Sequence, residues 1–296
     1  MRPVATPSAF LHLVALKNMQ WRCRHRIIDL TRPVVMGILN VTPDSFSDGS
    51  RYAGIDAALE RAAQIVREGA AIIDVGGEST RPGAGAVDEA VEIARVVPVI
   101  EGIAAASGIA ISIDTSKPKV MAAAVAAGAC IVNDVHALRA PGALECAAAH
   151  GVGVCLMHMQ GEPRTMQDNP HYEDVVAEVS EFLTRRREAC IGGGIDRDAI
   201  ALDPGVGFGK GLTHNLTLLK SLSRIAALGS PLLVGVSRKS FIGRILDKPV
   251  EERLHGGTGL AALAVAEGAR IIRTHDVGAT RDAIRMVAAV LQGMER

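Results

Sequence analysis

Short apolar runs rich in Ile, Val and Leu alternate with longer Ala-, Arg- and Glu-rich stretches along almost the whole chain. The runs fall at 34–41, 71–76, 110–115, 130–135, 153–159, 200–203, 232–237 and 270–275 and predict eight strands. Stretches with helical spacing lie between them, near 56–68, 88–106, 118–128, 142–150, 173–190, 214–228, 252–267 and 279–291. Several runs are apolar on both faces, which suits parallel strands covered by helices. Gly69, Gly108, Gly128, Gly151 and Gly268 each stand shortly before a run, where a helix C-cap belongs. No Pro/Ser-rich linker divides the chain, so repeated strand–helix units predict one α/β domain over 17–296, a single (β/α)8 TIM barrel. An open doubly wound sheet is the alternative. Residues 17–32 predict a short N-terminal hairpin closing the barrel bottom, and residues 1–16 read as an N-terminal extension outside the domain.

Almost every apolar run ends in polar residues. Asn40 ends the first, Asp74 to Arg81 follow the second, and Asp114, Thr115 and Ser116 close the third. Asn133 and Asp134, then His158 and Gln160, then Asp203 close the next three; Ser237, Arg238 and Lys239 close the seventh, and Arg273, His275 and Asp276 the eighth. In a barrel these positions converge on one rim, where barrel enzymes carry their chemistry. Packing alone does not explain so many polar groups at one end, because a buried polar group needs a partner. Asp114, Asn133 and Asp203 can pair with the edge of a flat nitrogen heterocycle; Asp114 reads equally well as the cap of the helix after it. Lys239, Arg273 and His275 supply positive charge in the barrel sector that often binds phosphate, with a salt bridge to a neighbouring Asp as the competing role for Arg273. His158, between Met157 and Met159, reads as a core histidine bonded to a carboxylate or, less simply, as a catalytic one. Gly-rich segments 40–50, 76–86 and 203–211 match neither GxxxxGK[ST] nor GxGxxG and read as mobile rim loops able to shield a substrate from water.

Composition narrows the partners. Thirty-two basic residues balance 32 acidic ones in a chain of 296 residues, so no net field attracts a nucleic-acid backbone. Aromatic residues make up 3%, too few for stacking platforms along a single strand, and the core must be aliphatic. Two of the five Phe residues, Phe46 and Phe208, nevertheless fall in the Gly-rich segments. The five cysteines form no CxxC pair and fit neither a zinc site nor a disulfide framework, which points to a reducing cytoplasm. No apolar run reaches the roughly 18 residues of a membrane span.

The segments MGILNVTPDSFSDGS (36–50), IIDVGGESTRPGA (72–84), SIDTSKP (112–118), VNDV (132–135), CLMHMQGEPRTMQ (155–167), LDPGVGFGK (202–210), VGVSRKSFIG (234–243) and IIRTHDV (271–277) resemble, in this order, the bacterial dihydropteroate synthases of folate biosynthesis. The resemblance implies a (β/α)8 barrel that condenses 6-hydroxymethyl-7,8-dihydropterin diphosphate with p-aminobenzoate, giving 7,8-dihydropteroate and pyrophosphate by a Mg2+-assisted dissociative displacement. It assigns Asp114, Asn133, Asp203, Lys239 and Met157 to the pterin, and Asn40, Arg273 and His275 to the diphosphate, with Asn40 also meeting the metal. Thr80, Arg81, Pro82, Phe46, Phe208, Ser237 and Lys239 fall to p-aminobenzoate, the site at which sulfonamides compete. Asp44 is implied to help order the closed site, and Lys239, Asp114, Asp203, Arg273 and Asp44 to carry catalysis. It further implies a homodimer through the late helices. A folate/corrinoid methyltransferase would share the Asp and Asn contacts but would not need STRPGA (79–84) or SRKS (237–240), both present here. A pterin-binding paralogue without synthase activity would lack loop residues such as Asp44, Phe46, Thr80 and Arg81, also present.

Overall fold

The computed structural model describes residues 19–41, 51–78, 87–162 and 165–292. Eight parallel strands form one sheet: β3 (Val34–Asn40), β4 (Ile72–Gly76), β5 (Ala110–Asp114), β6 (Ile131–Asp134), β7 (Gly153–Met157), β8 (Ile200–Asp203), β9 (Leu233–Gly235) and β10 (Ile271–Thr274). Each pairs with its neighbour in sequence from β3 to β8, and β10 lies between β3 and β9. A parallel bridge between Leu202 and Leu232 joins the remaining edges, so the sheet closes into the predicted barrel rather than opening as a doubly wound sheet.

The helices stand in the predicted places. They are α1 (Arg51–Arg67), α2 (Glu89–Ala106), α3 (Pro118–Ala127), α4 (Ala143–His150), α5 (Val175–Gly192), α6 (Leu212–Lys220), α7 (Leu222–Ala226), α8 (Ser240–Leu246), α9 (Leu254–Ala266) and α10 (Val277–Gln292). Two details differ from the sequence pattern. The stretch near 214–228 is two helices meeting at Ser221, and α8 forms directly after the SRK turn. Caps set two of the starts: Asp88 accepts from the Ala90 N–H (2.8 Å), and Asp174 accepts from the N–H groups of Val176 and Ala177.

Residues before the barrel form the expected hairpin, β1 (Gln20–Cys23) against β2 (Arg26–Asp29). Its Trp21, Cys23 and Ile28 pack on Met36, Ile72, Ala110, Cys155, Ala201, Leu233 and Ile271 in one buried apolar cluster. These are inward-facing positions near the N-terminal ends of the strands, so the hairpin plugs that end of the barrel. Trp21 is fully buried and its indole N–H donates to the Ala199 carbonyl (2.9 Å). A second, larger cluster of Val, Ile, Leu and Ala lies between strands and helices.

Candidate active site

The period of two along a strand builds the site. Ile72 on β4 belongs to the inner cluster, while Ile73 and Val75 pack outward against the helices. Asp74 therefore points into the barrel one step above Ile72. The same step puts Ser112 and then Asp114 above Ala110, Asn133 above Ile131, Met157 above Cys155, Asp203 above Ala201 and Arg273 above Ile271. One pleat thus separates an apolar floor from a polar layer at the C-terminal end.

Arg273 joins this layer across the barrel. Its Nε donates to Asp74 Oδ2 at 2.6 Å and its second terminal nitrogen to Asp114 Oδ2 at 2.7 Å. Asn133 Nδ2 donates to the same Asp74 oxygen at 3.0 Å. The salt-bridge role of Arg273 therefore holds, with two aspartates rather than one, and 20% of its side chain is exposed. Asp114 does not cap α3, which starts at Pro118 with no side-chain cap. Burial pushes the Asp114 carboxyl up to about 7 against the pull of Arg273. Burial also raises Asp203, opposed by the Gly205 N–H that its Oδ1 accepts (2.7 Å) and by Lys239. Lys239 is drawn down to about 8 by burial, with Asp203 holding it up. Burial works against the Arg273 charge, yet Asp74 and Asp114 outweigh it and keep the guanidinium protonated.

The wall beside this layer is apolar. Met157, Met159, Met166 and Val135 form a buried cluster with Phe208 against it, and Lys239 Nζ lies 4.1 Å from the Phe208 ring centre. Ser237 Oγ stands 3.1 Å from His275 Nδ1 and accepts the His275 backbone N–H (3.2 Å). His275 and Asn40 also line a cleft of about 640 Å³ between α1 and the start of α10, together with Arg61 and Arg238. Arg61 donates to the His275 carbonyl (2.7 Å), and Arg238 pairs with Asp276 (2.7 Å). The N-terminal dipole of α10 adds positive potential there.

The structure thus gathers Asp114, Asn133, Asp203, Lys239, Met157 and Arg273 on one inner wall, with Phe208 and Ser237 beside it and Asn40 and His275 in the adjoining cleft. Asp44, Phe46, Thr80, Arg81 and Pro82 lie outside the described residues. The sequence reading gave no role to Asp74 or Lys210. Asp74 had a signal, an Asp inside an apolar strand at an inward-facing position. His158 is buried and bonded to the Lys210 amine, not to a carboxylate; burial, and then the Lys210 charge, push it down to about 3, so it is neutral.

The C-terminal rim of this (β/α)8 barrel thus sets buried carboxylates and an amide beside a cleft lined by Asn40, Arg61 and His275, and residues 36–275 match the family described as pterin binding enzyme. The dihydropteroate synthase of Escherichia coli K12 is 50% identical over 268 residues, covering 90% of this chain and 95% of its own length. The Xanthomonas albilineans dihydropteroate synthase solved with 4-aminobenzoic acid superposes with a TM-score of 0.88 at 48% identity, covering 94% of this chain and 99% of that one. The Yersinia pestis dihydropteroate synthase in a sulfonamide complex also gives a TM-score of 0.88, at 47% identity over 93% of this chain and all (100%) of that one. The chain belongs to the pterin-binding enzymes and, within them, to the dihydropteroate synthases.

Proposed function

We propose that the protein condenses 6-hydroxymethyl-7,8-dihydropterin diphosphate with p-aminobenzoate to give 7,8-dihydropteroate and pyrophosphate. The observation that carries this reading is the inward polar layer of Asp74, Asp114, Asn133, Asp203 and Arg273 directly above an apolar floor. The aminopyrimidine edge of a pterin offers ring N–H and amino donors, which Asp114 and Asp203 accept and Asn133 both accepts and donates to. The diphosphate then points to the cleft of Asn40, Arg61 and His275, where positive charge and the α10 N-terminus favour the leaving group. The methylene C–O bond breaks, its electron pair leaves with the diphosphate, and the dihydropterin stabilises the resulting cation. The aniline nitrogen forms the new C–N bond and releases one proton. The reaction needs no protein nucleophile; its barrier falls through neutralised leaving-group charge and a water-poor site. Phe208, Lys239 and Ser237 border the space for the aromatic amine, in keeping with the 4-aminobenzoic acid bound by the Xanthomonas albilineans relative.

Mg2+ fits this donor set. Among the described residues no three His, Cys, Asp or Glu side chains group around one point. Asn40 Oδ1 is an oxygen donor of the hard kind Mg2+ takes, and the ion would draw its other ligands from diphosphate oxygens and waters. When bound, the ion supplies charge neutralisation on the diphosphate. We also infer a homodimer through α9 and α10, since Leu263, Met286, Val290 and Leu291 stand exposed there, and a cytoplasmic location, since all five cysteines are free thiols.

Purified protein with Mg2+ and both substrates is expected to release dihydropteroate and pyrophosphate in equal amounts, and Lys239→Ala is expected to lose at least about a hundredfold in kcat/KM, consistent with losing a group aimed at the reacting centre. Absence of dihydropteroate overturns the proposal; full activity of Lys239→Ala overturns its placement of the site.

A further inference from the structure

The glycines of the segment between β8 and α6 predict a mobile loop, yet it is tied down along its length. Asn215 Oδ1 accepts the Gly207 N–H (2.6 Å), Gln167 donates to the Gly207 carbonyl (2.8 Å) and the Tyr172 hydroxyl donates to the Gly209 carbonyl (2.8 Å). Gly205 and Gly209 have φ of +64° and +59°, and a Cβ at either would overlap the main-chain oxygen of His158 or Gln160. Main chain therefore packs directly on main chain, and several carbonyl dipoles converge. A buried group that donates to several of them at once relieves their mutual repulsion.

Lys210 is that group. The side chain is 2% exposed. Its Nζ lies 3.0 Å from the Gly205 carbonyl, 2.9 Å from the Phe208 carbonyl, 3.2 Å from the His158 carbonyl and 2.9 Å from His158 Nδ1. Burial pushes the Lys210 amine down to about 7, with Asp203 holding its charge up, and the three carbonyls favour the ammonium, which has three N–H donors where a neutral amine has two. Three edges of the loop thus meet on one atom: the end of β7, the first turn of the loop, and the residue whose ring rests on Lys239.

We propose that Lys210 is a positioning residue for the aromatic-amine substrate, its ammonium gathering the His158, Gly205 and Phe208 carbonyls so that the Phe208 ring is held against Lys239. Lys210 touches no reacting atom and acts through Phe208. The inference rests on the condensation proposed above. Its reach is uneven: Asp114, Asn133 and Arg273 are held by a separate network on β4, β5, β6 and β10, whereas Asp203 meets the loop through the Gly205 N–H.

The test is Lys210→Met, which keeps the stem and removes the charge. The KM for p-aminobenzoate is expected to rise tenfold or more, while the Kd for pterin diphosphate, measured by calorimetry without p-aminobenzoate, rises by less than about threefold, the share that passes through Gly205 to Asp203. In a Phe208→Ala background the same change is expected to add less than twofold, since its effect passes through that ring. Should Lys210→Met not fold, Lys210→Gln, which keeps two N–H donors, carries the same comparisons. An unchanged KM, equal losses for both substrates, or additive effects with Phe208→Ala would overturn the inference. The wild type separates the two questions: no wild-type turnover defeats the condensation reading, whereas wild-type turnover with an unaltered variant KM defeats this inference alone.

Discussion

Replacing Arg273 by Met tests the polar layer energetically. The guanidinium is the bridge between Asp74 and Asp114, at 2.6 and 2.7 Å, and the two carboxylate side chains are 0% and 10% exposed. Removing one partner of a buried ion pair typically costs about 3–5 kcal/mol, because the remaining charge stays desolvated. Here two carboxylates lose the same cation, and protonating one of them is the cheapest relief. Asp114 already stands near 7 with Arg273 pulling it down, so in the variant it rises further. The folded variant then keeps a proton above pH 7 that the unfolded chain releases near 4, so its stability falls as pH rises. The wild type, its Asp114 ionised in both states above about 7, has no such slope from this group. We expect a deficit of about 3 kcal/mol at pH 6.5, widening by about 1.4 kcal/mol for each pH unit above about 7 until the shifted pKa is reached. Urea denaturation of both proteins at pH 6.5 and 8 reads this directly. A deficit below about 1 kcal/mol that is the same at both pH values would refute the reasoning.

Other outcomes follow from the same contacts. Pterin binding uses the ionised Asp114, so its Kd is expected to rise about tenfold per pH unit below about 7, and a flat calorimetric profile from pH 5.5 to 8 contradicts that role. Trp21→Phe removes the bond to the Ala199 carbonyl at the barrel bottom; it is expected to cost about 1–3 kcal/mol in a denaturation curve and leave kcat/KM unchanged. Chelation of Mg2+ is expected to slow condensation at least tenfold, with recovery on adding the ion back, and to leave binding of the pterin lacking its diphosphate unaltered. Met286→Glu with Val290→Glu is expected to sediment as a monomer, and an unchanged mass would remove α10 from the dimer interface.

The fold was legible because barrel strands buried on both faces leave unbroken apolar runs, and the glycines closing the helices mark their ends. The hairpin was legible from position alone. What eluded the sequence was partnership across the barrel. Arg273 and Asp74 are 199 residues apart, and only the closed sheet places both on the inner face. Asp114 had two equal roles until the geometry put its carboxylate on Arg273 instead of on α3. Lys210 was invisible for a different reason: a lysine after a glycine run reads as solvent-exposed, and nothing local announces that three carbonyls from β7 and the loop converge on it. Phe46, Thr80, Arg81 and Pro82, four of the seven residues the resemblance gives to p-aminobenzoate, lie outside the described residues.

The central claim is that the first polar layer above the barrel floor is the pterin pocket, with the leaving group directed to the α10 side. A crystal structure of the protein with the pterin diphosphate tests this most directly. The account predicts the aminopyrimidine edge within hydrogen-bond distance of Asp114, Asn133 and Asp203, and the diphosphate against Asn40 and His275. A pterin bound elsewhere, or bound here with its diphosphate pointing away from that cleft, would contradict it.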